Sequence, residues 1–169
     1  MDNLKELKRE EIVRLIKNKE ATMADLVDSG ICPTCFDREN DCVLFGDKTD
    51  KIIYEDDIFE CFLIGNPRAE GHTAISTKKH YKDMMEIDDK ICSEIFLLSK
   101  KVMQVLKKVY SAESVYLCTM CDGPMNHFHI QLIPRYSFEK RGSKNFVKPR
   151  FEYREDKEKI LLLRNELNK

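Results

Sequence analysis

Two of the four histidines in this 169-residue chain stand two residues apart. They lie in the stretch Asn126-His127-Phe128-His129-Ile130-Gln131-Leu132-Ile133-Pro134-Arg135. Its strict alternation predicts a β-strand with His127, His129, Gln131, Ile133 and Arg135 on one face. Phe128, Ile130 and Leu132 then point into a core. Imidazole is both the commonest metal ligand and a competent nucleophile. An exposed polar strand face is the plain alternative, but two imidazoles, an amide and a guanidinium in one row fit a site better.

A second chemical signal is Cys32-Pro33-Thr34-Cys35, read as a turn after a helix stop. Two thiolates at this spacing can reach one tetrahedral zinc. A redox pair is the rival, but that normally opens a helix after a strand. Cys42 is near enough to be a third thiolate, or else a buried apolar cysteine. Two metal sets compete: the pair joined by Cys118 and Cys121, or the pair joined by histidines. Cys118 and Cys121 lie in or at the end of a predicted strand, where residues three apart face opposite ways, so they converge only if the chain turns at Cys121.

The elements that must hold these groups follow from periodicity. Leu4, Leu7, Ile12, Leu15 and Ile16 predict an amphipathic helix over residues 3–19. A short helix follows, with Thr22 as N-cap, Asp25 at its third position and Gly30 beyond its end. Residues 37–50 are polar and read as a loop. Strands are expected over 51–54, 58–64, 72–77, 115–121 and through His127, with a turn at Asp122, Gly123 and Pro124. Ile87, Ile91, Ile95, Leu98, Val102, Val105 and Val109 mark the buried face of a long helix. A basic, aromatic loop over 141–150 precedes a last helix with Ile160, Leu163 and Leu167 on one stripe.

The His127-x-His129-x-Gln131 row followed by Pro134-Arg135 resembles the signature of the histidine-triad (HIT) superfamily, with Gln131 in place of the third histidine. That form is similar to the branch containing galactose-phosphate uridylyltransferase and dinucleoside-polyphosphate phosphorylases. Residues 66–80 resemble a second landmark of the family through Pro67, Gly71, His72, Ile75, Lys78 or Lys79, and His80. The resemblance implies an α+β fold: an antiparallel sheet of about five strands, a long packed helix, N- and C-terminal helices, and pairing as a homodimer. It implies a structural zinc on Cys32, Cys35, His80 and His127. It also implies attack by neutral His129 on the α-phosphorus of a nucleotide, with Gln131 stabilising phosphoryl oxygens. Arg135, Lys78, Lys79 and Asn126 are the candidates for holding substrate. His72 reads as a hydrogen-bonded structural histidine. A zinc bound by both His127 and His129 and carrying hydroxide is the chemical alternative; a zinc-clipped binding module without catalysis is another. Two positions depart from the family pattern. Ile64 stands where a polar residue usually holds ribose, and Gly123-Pro124-Met125-Asn126 where Gly-Gln-Ser or Gly-Gln-Thr is usual.

The expected division is a helical extension over 1–29, the HIT-like domain over 30–137, and a C-terminal loop and helix over 138–169. A formal net charge of −1 and pI near 6.4 argue against a nucleic-acid surface. No apolar run has membrane-spanning length, and the charged start lacks the apolar region of a signal peptide. Seven cysteines are an odd number, which with no secretory signal favours reduced thiols and a cytoplasmic setting.

Overall fold

A computed structural model describes residues 4–121 and 123–169. β-branched and aromatic runs make five strands: β1 (Ile52–Glu55), β2 (Phe59–Leu63), β3 (Thr73–Thr77), β4 (Ser114–Cys118) and β5 (His129–Arg135). They form one sheet in the order β1-β2-β3-β5-β4, with every neighbouring pair antiparallel. The long apolar stripe becomes α4 (Asp89–Tyr110), capped by the Asp88 carboxylate, which accepts from the Ile91 N–H. The last helix is α5 (Lys157–Leu167), with Ile160, Leu163 and Leu167 buried. The main core lies between one sheet face and these two helices; it holds Phe59, Cys61, Ile75, Phe128, Ile130 and Leu132. The expected α+β architecture is therefore present. Among the described residues no helix is long and apolar enough to cross a membrane.

Strand register fixes what the opposite face carries. Cys61 pairs with Ile75 and Ile75 with Ile130, and all three face the helices. Glu60, Phe62, Ala74, Ser76, His129, Gln131, Ile133, Tyr116 and Cys118 therefore face the other way. The alternation expected of β5 holds, but the strand begins at His129. The Phe128 N–H is taken by the Tyr81 carbonyl at 2.7 Å, which leaves His127 in irregular chain.

Three N-terminal helices, α1 (Arg9–Lys17), α2 (Met23–Asp28) and α3 (Pro33–Glu39), share a small core of Leu4, Ile12, Ile16, Ala21, Leu26 and Phe36. The helix expected over 3–19 is broken. Leu4–Glu6 is a 3-10 turn, and Lys8 is extended at φ −68°, ψ 148°. The Leu4 N–H donates to Ser29 Oγ at 3.1 Å, tying the chain start to the end of α2. Asn3 lies outside the described residues, as does Asp122. The second helix has the expected cap, a reciprocal box between Thr22 and Asp25.

The Cys-x-x-Cys segment is not a turn. Cys32 is the N-cap of α3 and Pro33 its first residue, where the missing N–H costs nothing. The loop expected over 37–50 is thus helical to Glu39. Its remainder is organised by the buried Asp37 carboxylate, which accepts from Leu44 N–H at 2.7 Å and Phe45 N–H at 3.1 Å.

Gly71 sits at φ +74°, and a Cβ there would meet the Tyr110 ring at 2.8 Å. Gly71→Ala should lower the unfolding free energy by about 1–3 kcal/mol, through backbone strain and displacement of that ring. Urea denaturation measures it.

Candidate active site and metal centre

The metal centre depends on how α3 is pinned. Arg38 donates to the Lys78 carbonyl at 2.5 Å and approaches the buried Glu60 carboxylate at 3.9 Å, which Lys48 also meets at 2.5 Å. This fixes the first turn of α3 over the end of β3, where the chain continues to His80. Cys35 Sγ lies 3.4 Å from Nδ1 of His80 and 3.4 Å from Nδ1 of His127; Cys32 Sγ lies 3.6 Å from the same His127 nitrogen. All four donor atoms lie within 4.8 Å of one another.

The donor set fits a tetrahedral zinc. Thiolate and imidazole ligands on one such ion stand about 3.5 Å apart. The His127 Nε2–H donates to the Thr77 carbonyl at 2.8 Å, so Nδ1 is the lone-pair nitrogen that faces the thiols. Burial, then Cys32, pushes the Cys35 thiol up to about 12; only a cation between the two sulfurs would make both thiolates. Burial pushes His127 down to about 4, against the Thr77 hydrogen bond, which keeps it a neutral ligand. Cys42, Cys118 and Cys121 are not in this cluster, so the all-thiolate set is not assembled. His129 is not in it either. Four protein ligands close the coordination shell, which makes the ion structural.

Next to this centre runs a chain of hydrogen bonds with one self-consistent polarity. The Arg68 backbone N–H donates to His72 Nδ1 at 3.1 Å, so the His72 proton is on Nε2. That nitrogen donates to Gln131 Oε1 at 3.1 Å. Gln131 Nε2 in turn donates to His129 Nε2 at 3.2 Å, and the His129 Nδ1–H donates to the His127 carbonyl at 2.8 Å. A backbone donor at one end and a backbone carbonyl at the other fix both tautomers and the amide orientation. His129 is left neutral with its lone pair on Nε2, beside an amide N–H. The His127 carbonyl joins this chain to the metal centre.

His72 carries more than its sequence reading implied: it aims the Gln131 amide. Burial pushes its pKa down to about 4, the Gln131 hydrogen bond opposes this, and Arg150, Arg68 and Lys148 push it further down. Between about pH 4 and 6.5 the unfolded chain holds a proton on His72 that the native chain does not, so stability rises with pH. His72 thus contributes fully above pH 6.5, and the contribution, on the order of 2–3 kcal/mol, is lost as pH falls toward 4. His72→Gln should flatten that part of the stability–pH curve measured by denaturant titration.

The other candidate residues are placed elsewhere. Arg135 is buried and fully engaged: it donates to Ser114 Oγ and to the Tyr136 and Glu139 carbonyls and pairs with Glu113 at 2.8 Å. Its guanidinium braces the far end of β5 and does not reach His129. Lys78 pairs with Glu55 at 2.8 Å, and Lys79 lies over the Tyr81 ring. Asn126 donates to the Lys82 carbonyl at 2.6 Å, next to the metal centre. A cleft of about 450 Å³ is lined by Ile64, Pro67, Gly71, His72, Tyr110 and Tyr153, among others. It meets the site at His72 and not at His129.

The HIT domain family pattern matches residues 46–138, and the chain belongs to the HIT family. It is 36% identical over 98 residues to an uncharacterized HIT-like protein of Methanocaldococcus jannaschii, covering 56% of this chain and 75% of that protein. It is 30% identical over 109 residues to the adenylylsulfatase HINT3 of Arabidopsis thaliana, covering 57% of this chain and 53% of that one. Among solved structures, a zinc-bound histidine triad family protein from Mycobacterium smegmatis superposes with a TM-score of 0.56 at 21% identity. It covers 69% of this chain and 83% of that one.

Proposed function

We propose that this HIT protein cleaves or transfers a nucleoside 5′-phosphoryl group through a covalent nucleotidyl group on His129. The hydrogen-bond chain from the Arg68 N–H to the His127 carbonyl carries the proposal, because it presents His129 Nε2 as a neutral lone pair without any activating base. That nitrogen forms a bond to the α-phosphorus while the bond from phosphorus to the leaving oxygen breaks. The Gln131 amide, released from His129 as the lone pair is used, donates to a non-bridging phosphoryl oxygen. Water or an acceptor anion then takes the nucleotidyl group and frees His129. Zinc on Cys32, Cys35, His80 and His127 would serve structurally, holding α3 and His127 so that the carbonyl of His127 keeps the His129 proton on Nδ1. The likeness to an adenylylsulfatase supports a nucleoside 5′-phosphoryl anhydride as the substrate class.

We read the working unit as a homodimer in the cytoplasm, with residues 30–137 as the catalytic domain between helical additions at 1–29 and 138–169. Phe96 and Leu97 are 42% and 67% exposed on α4, beside an apolar groove lined by Met103 and Leu117. Such a patch supports self-association over a lone chain.

Gln131 can donate through its amide but cannot be protonated to assist a poor leaving group. Phosphoric anhydrides should therefore react faster than phosphoramidates, and Gln131→His should raise phosphoramidate hydrolysis relative to the parent. The experiment is a thermal-shift panel of nucleotides followed by turnover of diadenosine polyphosphates and adenosine phosphoramidate. Efficient phosphoramidate hydrolysis by the parent would contradict the assigned role of Gln131. No nucleotide binding and no turnover across the panel would sink the proposal itself.

A further inference from the structure

We infer that Arg68, with Arg150 and Lys148 from the segment after the catalytic domain, forms an anion site over the Gln131 side of the row, taking a second phosphate group beyond the one attacked by His129. This inference rests on the proposed nucleotidyl chemistry and adds a substrate requirement to it.

Three observations place the site. Arg68 starts beside His72, to which its backbone N–H donates, and its Nη1 reaches the Lys148 carbonyl. Its guanidinium also acts on Cys118, pulling that thiol down against the upward push of burial. Cys118 pairs with Gln131 in the register, and Gln131 accepts from the same His72 ring that the Arg68 N–H holds. Ile133, next on that face of β5, is 0% exposed. The C-terminal loop closes over it, with Phe146 against Tyr116 at 5.1 Å between ring centres.

The charges in this roof are not balanced. Among the described residues neither Arg68 nor Arg150 has a carboxylate partner; each is steered by a backbone carbonyl, that of Lys148 for Arg68 and that of Asn66 for Arg150. Arg68 Nε is buried with no hydrogen-bond partner. Lys148 is paired with Glu139 at 2.6 Å, so the two arginines supply the free charge. Burial lowers the Arg150 pKa, and the nearby Arg68 adds to that. Two guanidiniums tied to each other's segments without an acid would gain most from a bound phosphate dianion. Lys148 and Arg150 lie beyond the family match, which ends at residue 138, so this part of the site belongs to the C-terminal addition.

The chemistry has two sources: the departing phosphate of a nucleoside polyphosphate, or inorganic phosphate acting as acceptor. Titration calorimetry of AMP, ADP and pyrophosphate against the full chain, with Arg150→Gln and Arg68→Lys, tests the site. ADP should bind about tenfold more tightly than AMP in the parent, with that ratio falling to within about twofold in Arg150→Gln. Arg68→Lys keeps the charge and loses the planar donor fork, and should reduce the ratio in part. Pyrophosphate affinity should fall in both variants. A parent ratio near one, or a ratio unchanged in both variants, would overturn the inference. If neither AMP nor ADP binds, the nucleotide reading fails, and pyrophosphate decides the anion site alone: binding weakened by Arg150→Gln keeps it, while no binding or unchanged binding removes it. Inorganic phosphate that accelerates turnover identifies the acceptor, and phosphate that only competes with ADP identifies the departing group. Where ADP binds, phosphate that does neither overturns the site.

Discussion

His129→Ala should lower turnover by on the order of a thousandfold or more while leaving one zinc per chain in place. His129 keeps its proton on Nδ1, held by the His127 carbonyl, and its Nε2 lone pair meets the Gln131 amide. It contributes nothing to the four-donor cluster, and its removal costs one half-buried side chain. His127→Ala is the matched contrast. It deletes a metal ligand and the Nε2 hydrogen bond to Thr77, and should cost metal, stability and activity together. If His129→Ala stripped the metal instead, a catalytic zinc bound by both histidines would replace the covalent account. If His129→Ala kept activity, His129 would not be the nucleophile, and a binding module or another catalytic group would have to be sought.

Cys35→Ser should release the metal and lower the unfolding free energy by several kcal/mol, at least about 3. Cys35 Sγ touches both histidine donors at 3.4 Å, so its loss removes the thiol that joins the two imidazoles. α3 would then rest on Arg38 with Glu60 and the Lys78 carbonyl, and on the small core around Phe36. The metal content by elemental analysis and the denaturation midpoint with and without chelator check this. Unchanged metal in Cys35→Ser, or a parent protein whose midpoint ignores chelator, would contradict it.

The parts legible in the sequence are those where periodicity and spacing coincide with contacts. Strict alternation put Phe128, Ile130 and Leu132 in the core, and all three are buried there. The stripe from Ile91 to Val109 gave α4, with Ile87 falling before its cap Asp88, and Thr22 with Asp25 gave a helix start that the side chains themselves close. Spacing alone left Cys32 and Cys35 with two possible sets of partners; the family resemblance pointed to His80 and His127, and those four donor atoms come together. The rest depends on partners far away in sequence. Nothing local marks the break at Lys8, since Ser29 lies 25 residues from the Leu4 N–H it accepts. Cys-Pro-Thr-Cys reads as a turn, and it opens a helix because α3 packs Phe36 into the small N-terminal core. Arg135 looks free until Glu113 and Ser114 are brought beside it by the β4–β5 register. His72 read as a hydrogen-bonded histidine and is one, but its partner was not legible, because Gln131 lies 59 residues on. Arg68 lies in the second landmark and Arg150 in the basic loop, but nothing local links the two; the ties from Arg68 to the Lys148 carbonyl and from Arg150 to the Asn66 carbonyl bring them together.

The covalent nucleotidyl-histidine is tested most directly by quenching the parent protein during turnover of a diadenosine polyphosphate and mapping the adduct by mass spectrometry. The account predicts a nucleotidyl group on the peptide carrying His129, attached at imidazole nitrogen, cleaved by mild acid and stable to base, and absent from His129→Ala. Full turnover with no adduct on that peptide, or an adduct on any other residue, would contradict it.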